Sequence, residues 1–250
     1  MARACRVLPH RSGDGPANMA LDEALLDSVA ADPSMAVVRT YDWTVPTLSL
    51  GYFQSIHEAE ADPRWAGVPI VRRPTGGGSL WHDREVTYAV VVPGDHPAAR
   101  PSRALYRTIH AAIADRIRRA GIVADRRGDP GPSPSPEIRP FLCFTDRDDD
   151  DIVSQGAKLV GSAQRRRAGA VLQHGSLLLQ RSPKTPELPG LLDFLADPID
   201  HQDWAEILAE ALPEALGLEP IRATASEAEI RASEVLIEST YARPSWTARR

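Results

Sequence analysis

Three consecutive glycines, Gly76, Gly77 and Gly78, stand between Arg72-Arg73 and His82-Asp83 in the run RRPTGGGSLWHD, which leads directly into the strand-like VTYAVVVP. Glycine costs conformational entropy, so such a run persists where backbone takes positive φ or something approaches closely. The N–H groups of such a loop can hold a carbonyl, a carboxylate or an adenylate phosphate; a plain tight loop between strands fits the same residues. The spacing matches neither a P-loop nor a dinucleotide-binding turn, and a strand rather than a helix follows. His82 and Asp83 are metal-ligand types, but neighbours on a strand face opposite ways and no third ligand is suitably spaced. No metal site is therefore expected, and the pair reads better as hydrogen-bonding groups that fix the loop.

A second segment, GAKLVGSAQRRRAGAVLQHGSLLL, places Lys158 in an otherwise apolar strand, where alternation puts it on one face with Val160 and Ser162. Such a lysine is either a snorkelling edge residue or a cation in a partly apolar pocket, able to polarise a carbonyl or neutralise a phosphate. His174 reads as a hydrogen-bonded strand histidine, and Arg165, Arg166 and Arg167 as a solvated turn. The two cysteines, Cys5 and Cys143, are too few for a disulfide framework and form no C-x-x-C pair; each reads as a small buried hydrophobe.

The elements that must carry these residues follow from periodicity. NMALDEALLDSVAA has Met19, Leu21, Leu25, Leu26 and Val29 at helical spacing, with Asp22 and Glu23 near its start, where carboxylates suit the helix dipole. Strands are expected near 35–42 and 47–53 and on both sides of the glycine loop. From 101 to 120, Leu105, Ile109, Ile113 and Ile117 form an amphipathic helix, with Ser102 placed to cap it and Gly121 to end it. The Pro- and Ser-rich stretch 128–140 is a surface connection. PFLCF reads as a short strand, TDRDDDD as a solvated loop, residues 152–166 as a hairpin turning at Gln155-Gly156, and VLQHGSLLLQ as a further strand. Helices are expected over about 201–215 and 226–240, the latter with Ser226 and Glu229 spaced as a capping box. The outcome is one α+β domain over 1–250, a largely antiparallel mixed sheet flanked by helices.

Composition agrees with an ordinary globular chain: 250 residues, 42% hydrophobic and 25% charged. A net charge of −5 argues against a nucleic-acid binder that relies on overall positive charge. No stretch is apolar and long enough for a signal peptide or a membrane span, so a cytoplasmic location is expected.

Taken together, NMALDEALL, PTLSLGYFQ, RRPTGGGSLWHD, KLVGSAQRR and LQHGSLLL resemble, in order and approximate spacing, the lipoate-protein ligase A and octanoyltransferase superfamily. The similarity runs from about Asn18 to Leu179, with a plausible tail in YARPSWTARR. It implies the fold of biotin protein ligases, related to class II aminoacyl-tRNA synthetases. It also implies an acyl or acyl-adenylate group held among Arg72, Arg73, Thr75, the three glycines, Leu80, Trp81, His82, Val160, Gly161, Ser162, Ala163, Gln164, His174 and Gly175.

Members of the superfamily perform one of two chemistries. Ligases activate lipoate with ATP and magnesium and pass it to a lysine of a lipoyl domain. Octanoyltransferases take octanoate from acyl carrier protein, through an enzyme cysteine in the LipM type, and need no cofactor. Cys143-Phe144, fifteen positions before Lys158, resembles the nucleophile of the LipM type, and HDREVTY resembles that group more than the ligases. The resemblance therefore pairs Cys143 with Lys158 as catalytic residues, since a nearby cation favours the nucleophilic thiolate. Leu80, Trp81 and Val160 are the expected wall of the acyl pocket. Arg72, Arg73 and Arg165–Arg167 are expected to steer acidic partners, namely acyl carrier protein and a lipoyl domain such as glycine cleavage H protein or the E2 chain of a 2-oxoacid dehydrogenase. A monomer is expected. The chain departs from the cysteine group in carrying TDRDDDD where a Pro-Ser-Tyr-Glu-like stretch is usual, an acidity that would oppose a thiolate if it folded near Cys143, and in having Gly78 where arginine is common. An ATP-dependent ligase and a non-catalytic acyl or lipoyl-domain binding module remain the alternatives.

Overall fold

The computed structural model describes residues 2–126, 140–145, 148–167, 169–195 and 201–249. The expected surface connection at 128–140 lies, apart from Pro140, outside the described residues. In chain order the first half runs β1 (Ala4–Val7), β2 (Arg11–Gly13), α1 (Gly15–Ala31), β3 (Ala36–Trp43), β4 (Thr47–Leu50), α2 (Ile56–Glu60), β5 (Ile70–Arg72), β6 (Leu80–His82), β7 (Glu85–Pro93) and α3 (Ala104–Arg119). There follow β8 (Asp125–Arg126), β9 (Ile152–Ser154), β10 (Ala157–Arg167), β11 (Ala170–Leu178), α4 (His201–Ala215), β12 (Glu219–Arg222), α5 (Glu227–Leu236), a π-helical turn (Ile237–Tyr241) and α6 (Pro244–Thr247).

The large sheet has the order β12-β1-β3-β7-β11-β10-β9-β8, with β2 beside β3. Its first three strands are parallel and the rest of that path is antiparallel. The central strand β7 is buried along its whole length, as its continuous Val-rich run requires when both faces are covered. Val86, Tyr88, Val90 and Val92 meet α3 and α4 through Leu105, Ile109, Ile113, Trp204 and Leu208. Ala89 and Val91 face the other way, onto Met19, Leu25, Leu26 and Val29 of α1. Each fully buried Leu or Ile of these faces stabilises the fold by about 1.5–3 kcal/mol. A small sheet, β5-β4-β6, packs its own cluster around Leu48, Leu50, Trp65 and Trp81 at one side.

Several local expectations are corrected. Helix α1 starts at an Asp14 cap, so Asp22 sits on its second turn and points inward, fully buried, rather than serving the dipole. Ser102 does not cap α3, whose N-cap Arg103 makes no side-chain cap bond; Gly121 does end it, at φ +87°. PFLCF is not a strand but a turn joined to the glycine loop by one isolated bridge, Ser79 to Leu142. The hairpin turns at Gln155 and Gly156 as expected, both at positive φ, as a two-residue turn with the twist of its strands requires. The box of Ser226 and Glu229 caps α5. No helix among the described residues is long and apolar enough to cross a membrane.

Candidate active site

The glycine loop joins β5 to β6 and is held from beneath by the two arginines that precede it. Arg73 donates from Nη1 to Ser49 O and Oγ at 3.0 and 2.8 Å, and from Nη2 to the carbonyls of Gly76 and Gly78, both at 2.9 Å. Arg72 donates to the carbonyls of Gly51, Gln54 and Thr247 at 2.9, 2.7 and 2.6 Å. Both guanidiniums are buried. The expectation that they steer partners is therefore overturned: a side chain committed to inward carbonyls presents no charge to an approaching protein. The glycines have separate reasons. Gly77 adopts φ +89°, and a Cβ on Gly78 would lie 3.0 Å from Cys143 N and 3.1 Å from its Cα. A side chain at Gly78 would press on the Cys143 backbone.

That close approach is a clamp. Ser79 N donates to Phe141 O at 2.8 Å and Cys143 N to Ser79 O at 2.7 Å. Gln54 braces both sides, accepting from Gly51 N and Ser79 Oγ and donating to Phe141 O. Cys143 is thereby fixed, partly exposed, over the third element of the site. There β10 makes a bulge between Lys158 and Val160 against β9, and a bulge re-aims the side chain beside it. Lys158 Nζ donates to Cys143 O at 3.0 Å, to Cys143 Sγ at 3.5 Å and to Asp151 Oδ2 at 2.8 Å. Gly161 leaves room for this, since a Cβ there would meet Lys158 Cε at 2.7 Å. Burial opposes charge on Lys158, but the Cys143 sulfur and Asp151 hold its ammonium above the ordinary value. The acidic stretch does fold beside Cys143, with Asp150 and Asp151 buried rather than solvated. Lys158 stands between Asp151 and the sulfur, so the carboxylate meets a cation and not the thiol directly.

Two cavities meet at Cys143. One, of about 610 Å³, opens to solvent and is lined by Glu58, Tyr106, His110, Asp148, Lys158 and Ser162 among others. The other is a narrow slot lined by Met19, Tyr41, Leu80, His82, Thr87 and His174, with Gly77, Cys143, Gly161, Ser162, Ala163 and Gly175 also on its wall. Its polar residues turn their heteroatoms into a network and leave mainly carbon facing the slot. His174 Nδ1 meets Asp22 Oδ2 at 2.8 Å and its Nε2 meets Thr75 Oγ1 at 2.7 Å. Asp22 also accepts from Arg39 Nε and Tyr41 Oη. Burial by itself would raise the Asp22 carboxyl; Arg39, His174 and Tyr41 together hold it below its usual value. His82 bonds Ser49 and Glu85, and Asp83 accepts from Ser182, so this pair fixes the loop. Burial, with Arg73 and His174 nearby, keeps His82 well below its ordinary pKa.

Not every expected wall residue reaches these cavities. Leu80 does, but Trp81, its neighbour on β6, points to the opposite face, packs on Trp65 and donates to Ser182. Val160 joins the core on the α3 side. Gln164 bonds Gln173 and lines a separate cleft. Arg167 pairs with Glu23 and Asp27 of α1, and Arg166 donates to Ala99 O; the three arginines lie on β10 rather than in a turn. Sequence reasoning missed His110. It stands on the buried face of α3, at the Ile109–Ile113 spacing of core positions, and no local signal separates it from a packed residue. Its Nδ1 meets Asp150 O at 2.5 Å and its Nε2 meets Ser162 Oγ at 2.7 Å. Burial brings it down to about 4, partly countered by the Asp150 carbonyl, so it is neutral at pH 7 and its Nε2 accepts. Met19, Asp22, Gln54 and Asp151 were likewise not singled out.

A mixed sheet that sets a glycine loop, a clamped cysteine and a buried lysine around two joined cavities has the fold of protein Ta0514 of Thermoplasma acidophilum, described as a lipoate protein ligase, which superposes with TM-score 0.79 over the whole of both chains at 23% identity. Residues 14–187 match the lipoyl protein ligase A/B catalytic domain, and the chain belongs to that family. Octanoyltransferase LipM of Kyrpidia tusciae is 34% identical over 98% of both chains. The LipM octanoyltransferase of Geobacillus kaustophilus is 42% identical over 65% of this chain and 60% of its own.

Proposed function

We propose that the protein is an octanoyltransferase of protein lipoylation, moving an octanoyl group from acyl carrier protein to Cys143 and from there to a lysine of a lipoyl domain. The observation that carries this reading is the Lys158 ammonium within reach of Cys143 Sγ, at the junction of an open cavity and a carbon-lined slot. The similarity to LipM octanoyltransferases supports it. The thiolate attacks the donor carbonyl carbon, and the new S–C bond forms as the donor C–S bond breaks. The departing thiolate takes a proton from Lys158 Nζ. A neutral lysine amine then attacks the acyl-Cys143 carbonyl and yields its proton to Lys158, and the Cys143 thiolate is released with the ammonium restored. The eight-carbon chain occupies the slot beside Leu80 and Met19, gaining about 0.8 kcal/mol per buried methylene. A thioester donor is already activated, so no ATP enters.

Intact-protein mass spectrometry tests this. Incubated with octanoyl-acyl carrier protein and no ATP, the native chain gains one octanoyl group, a lipoyl domain such as that of H protein or an E2 chain removes it, and Cys143→Ala gains none. Labelling that persists in Cys143→Ala, or transfer to the lipoyl domain that appears only with ATP and free acid, refutes it.

A further inference from the structure

Beside the active site lies a second cleft of about 310 Å³, lined by Tyr52, Phe53, Pro74, Gly76, Arg165 and Arg166 among others, with no carboxylate among its described lining residues. Arg165 lines the cleft, and Arg249, which is not part of its lining, stands beside it at Tyr52. The Arg165 guanidinium lies 5.5 Å from the centre of the Tyr52 ring, and that of Arg249, from the chain end, lies 4.5 Å from the same ring and 4.7 Å from Trp246. Among the described residues neither arginine meets a carboxylate, whereas neighbouring Arg167 is doubly paired. Arg166 donates only to neutral acceptors, the carbonyls of Ala99 and Ser102 and the Gln164 amide oxygen, so its charge is also unbalanced. Cations that face no carboxylate favour an anion seated beside them.

The cleft is continuous with the reaction site. Phe53, 69% exposed, lines both cavities. Gly76 borders the cleft, while Gly78 touches the Cys143 backbone; two residues of extended chain span at most about 7 Å. Phe53 and the glycine loop thus border both the cationic cleft and the cavity that holds Cys143. The wide cavity mixes signs, its Arg103 and Lys158 pairing with Asp148, Asp150 and Asp151, whereas the described lining of the cleft carries cations alone.

We propose that this cleft is a subsite for the phosphodiester of the donor's pantetheine arm, with Arg165 and Arg249 as its ligands and Phe53 as the surface over which the arm runs to Cys143. The assignment presupposes the octanoyltransferase activity proposed above. It accounts for how a net-negative enzyme engages an acidic carrier: recognition is local, at the one phosphorylated element every such donor presents next to its thioester.

The test compares rates of Cys143 acylation by S-octanoyl-4′-phosphopantetheine and S-octanoyl-pantetheine, which differ only in the phosphate, in the native full-length chain and in the Arg165→Gln/Arg249→Gln double variant. Native enzyme should prefer the phosphorylated donor by about tenfold or more in kcat/KM, as expected for charge-assisted contacts, and the preference should shrink as salt rises. In the double variant the ratio should fall to near one, and the pantetheine rate in the same variant reports that it is folded. A native ratio near one, or a ratio preserved in the double variant, overturns the subsite; if octanoyl-acyl carrier protein then still outperforms both small donors, the carrier's protein surface is what docks. If native protein is acylated by none of the thioesters, the octanoyltransferase reading fails first, and the subsite with it.

Discussion

At the scale of single residues, the site is a set of charges balanced against burial. Lys158 donates to Asp151, Cys143 O and Cys143 Sγ, so replacing it would remove both the cation beside the sulfur and the proton carrier of the proposed transfer. Lys158→Ala should slow Cys143 acylation by about 10²–10⁴-fold, and Lys158→Arg should not restore the rate, because a planar fork cannot reproduce three convergent bonds from one nitrogen. Rates of octanoyl incorporation read by mass would check both. His110 supplies a stability prediction. The unfolded chain takes up its proton near pH 6.5 while the folded chain resists until about 4, so stability due to this group is intact above pH 6.5 and falls as pH drops through that window. The loss amounts to about 3 kcal/mol at its full extent. Urea unfolding of His110→Gln between pH 7 and 4 should show a shallower decline than the native chain; an unchanged slope would remove His110 from the account.

Between elements, the catalytic arrangement depends on a loop-to-loop clamp rather than on any one strand. The turn carrying Cys143 is held against the glycine loop by the bridge to Ser79, the Gln54 brace and the contact with Gly78, while Leu142 and Phe144 join the apolar clusters of Trp81 and Leu80. A methyl group at Gly78 presses on that backbone, and overpacking of this kind costs roughly 1–3 kcal/mol. Gly78→Ala should therefore lower the acylation rate by about tenfold or more while the melting temperature moves little, since the turn can withdraw without disturbing the large sheet. Activity equal to native in Gly78→Ala would show that the clamp does not position the sulfur. The β10 bulge does the corresponding work for Lys158, and the strand's plain alternation would have paired it with Val160, which the core takes instead.

For the whole molecule, the chain end closes over the site's foundation. Arg72 reaches Trp246 O and Thr247 O, and Trp246 Nε1 returns a bond to Arg72 O at 3.0 Å. Removing residues 242–250 deprives a fully buried guanidinium of several acceptors, and stranding a buried charge costs roughly 3–5 kcal/mol. The truncated chain should melt well below the native protein and lose Cys143 acylation with it. Should it melt at the native temperature, the tail is not structural and the Gly51 and Gln54 carbonyls that Arg72 already meets suffice for it.

Much of this was legible in the residues. Periodicity expected helices over 18–31, 101–120 and about 201–215, close to those found at 15–31, 104–119 and 201–215, and with them the hairpin turn at Gln155-Gly156 and the α5 cap, because each is set by contacts within a few residues. Five ordered motifs identified the family, and with it Cys143 and Lys158 as a candidate pair. Tertiary structure alone decided that Arg72 and Arg73 are buried struts, that Leu80 faces the slot while Trp81 turns from it, that Asp151 completes the cluster around Lys158, and that His110 of α3 reaches Ser162. The reason is one of range: local spacing sets which face of an element a side chain occupies, but what lies opposite that face, and so whether a charge is solvated or paired, depends on segments more than a hundred and fifty residues away, as between Asp22 and His174 or Arg72 and Thr247.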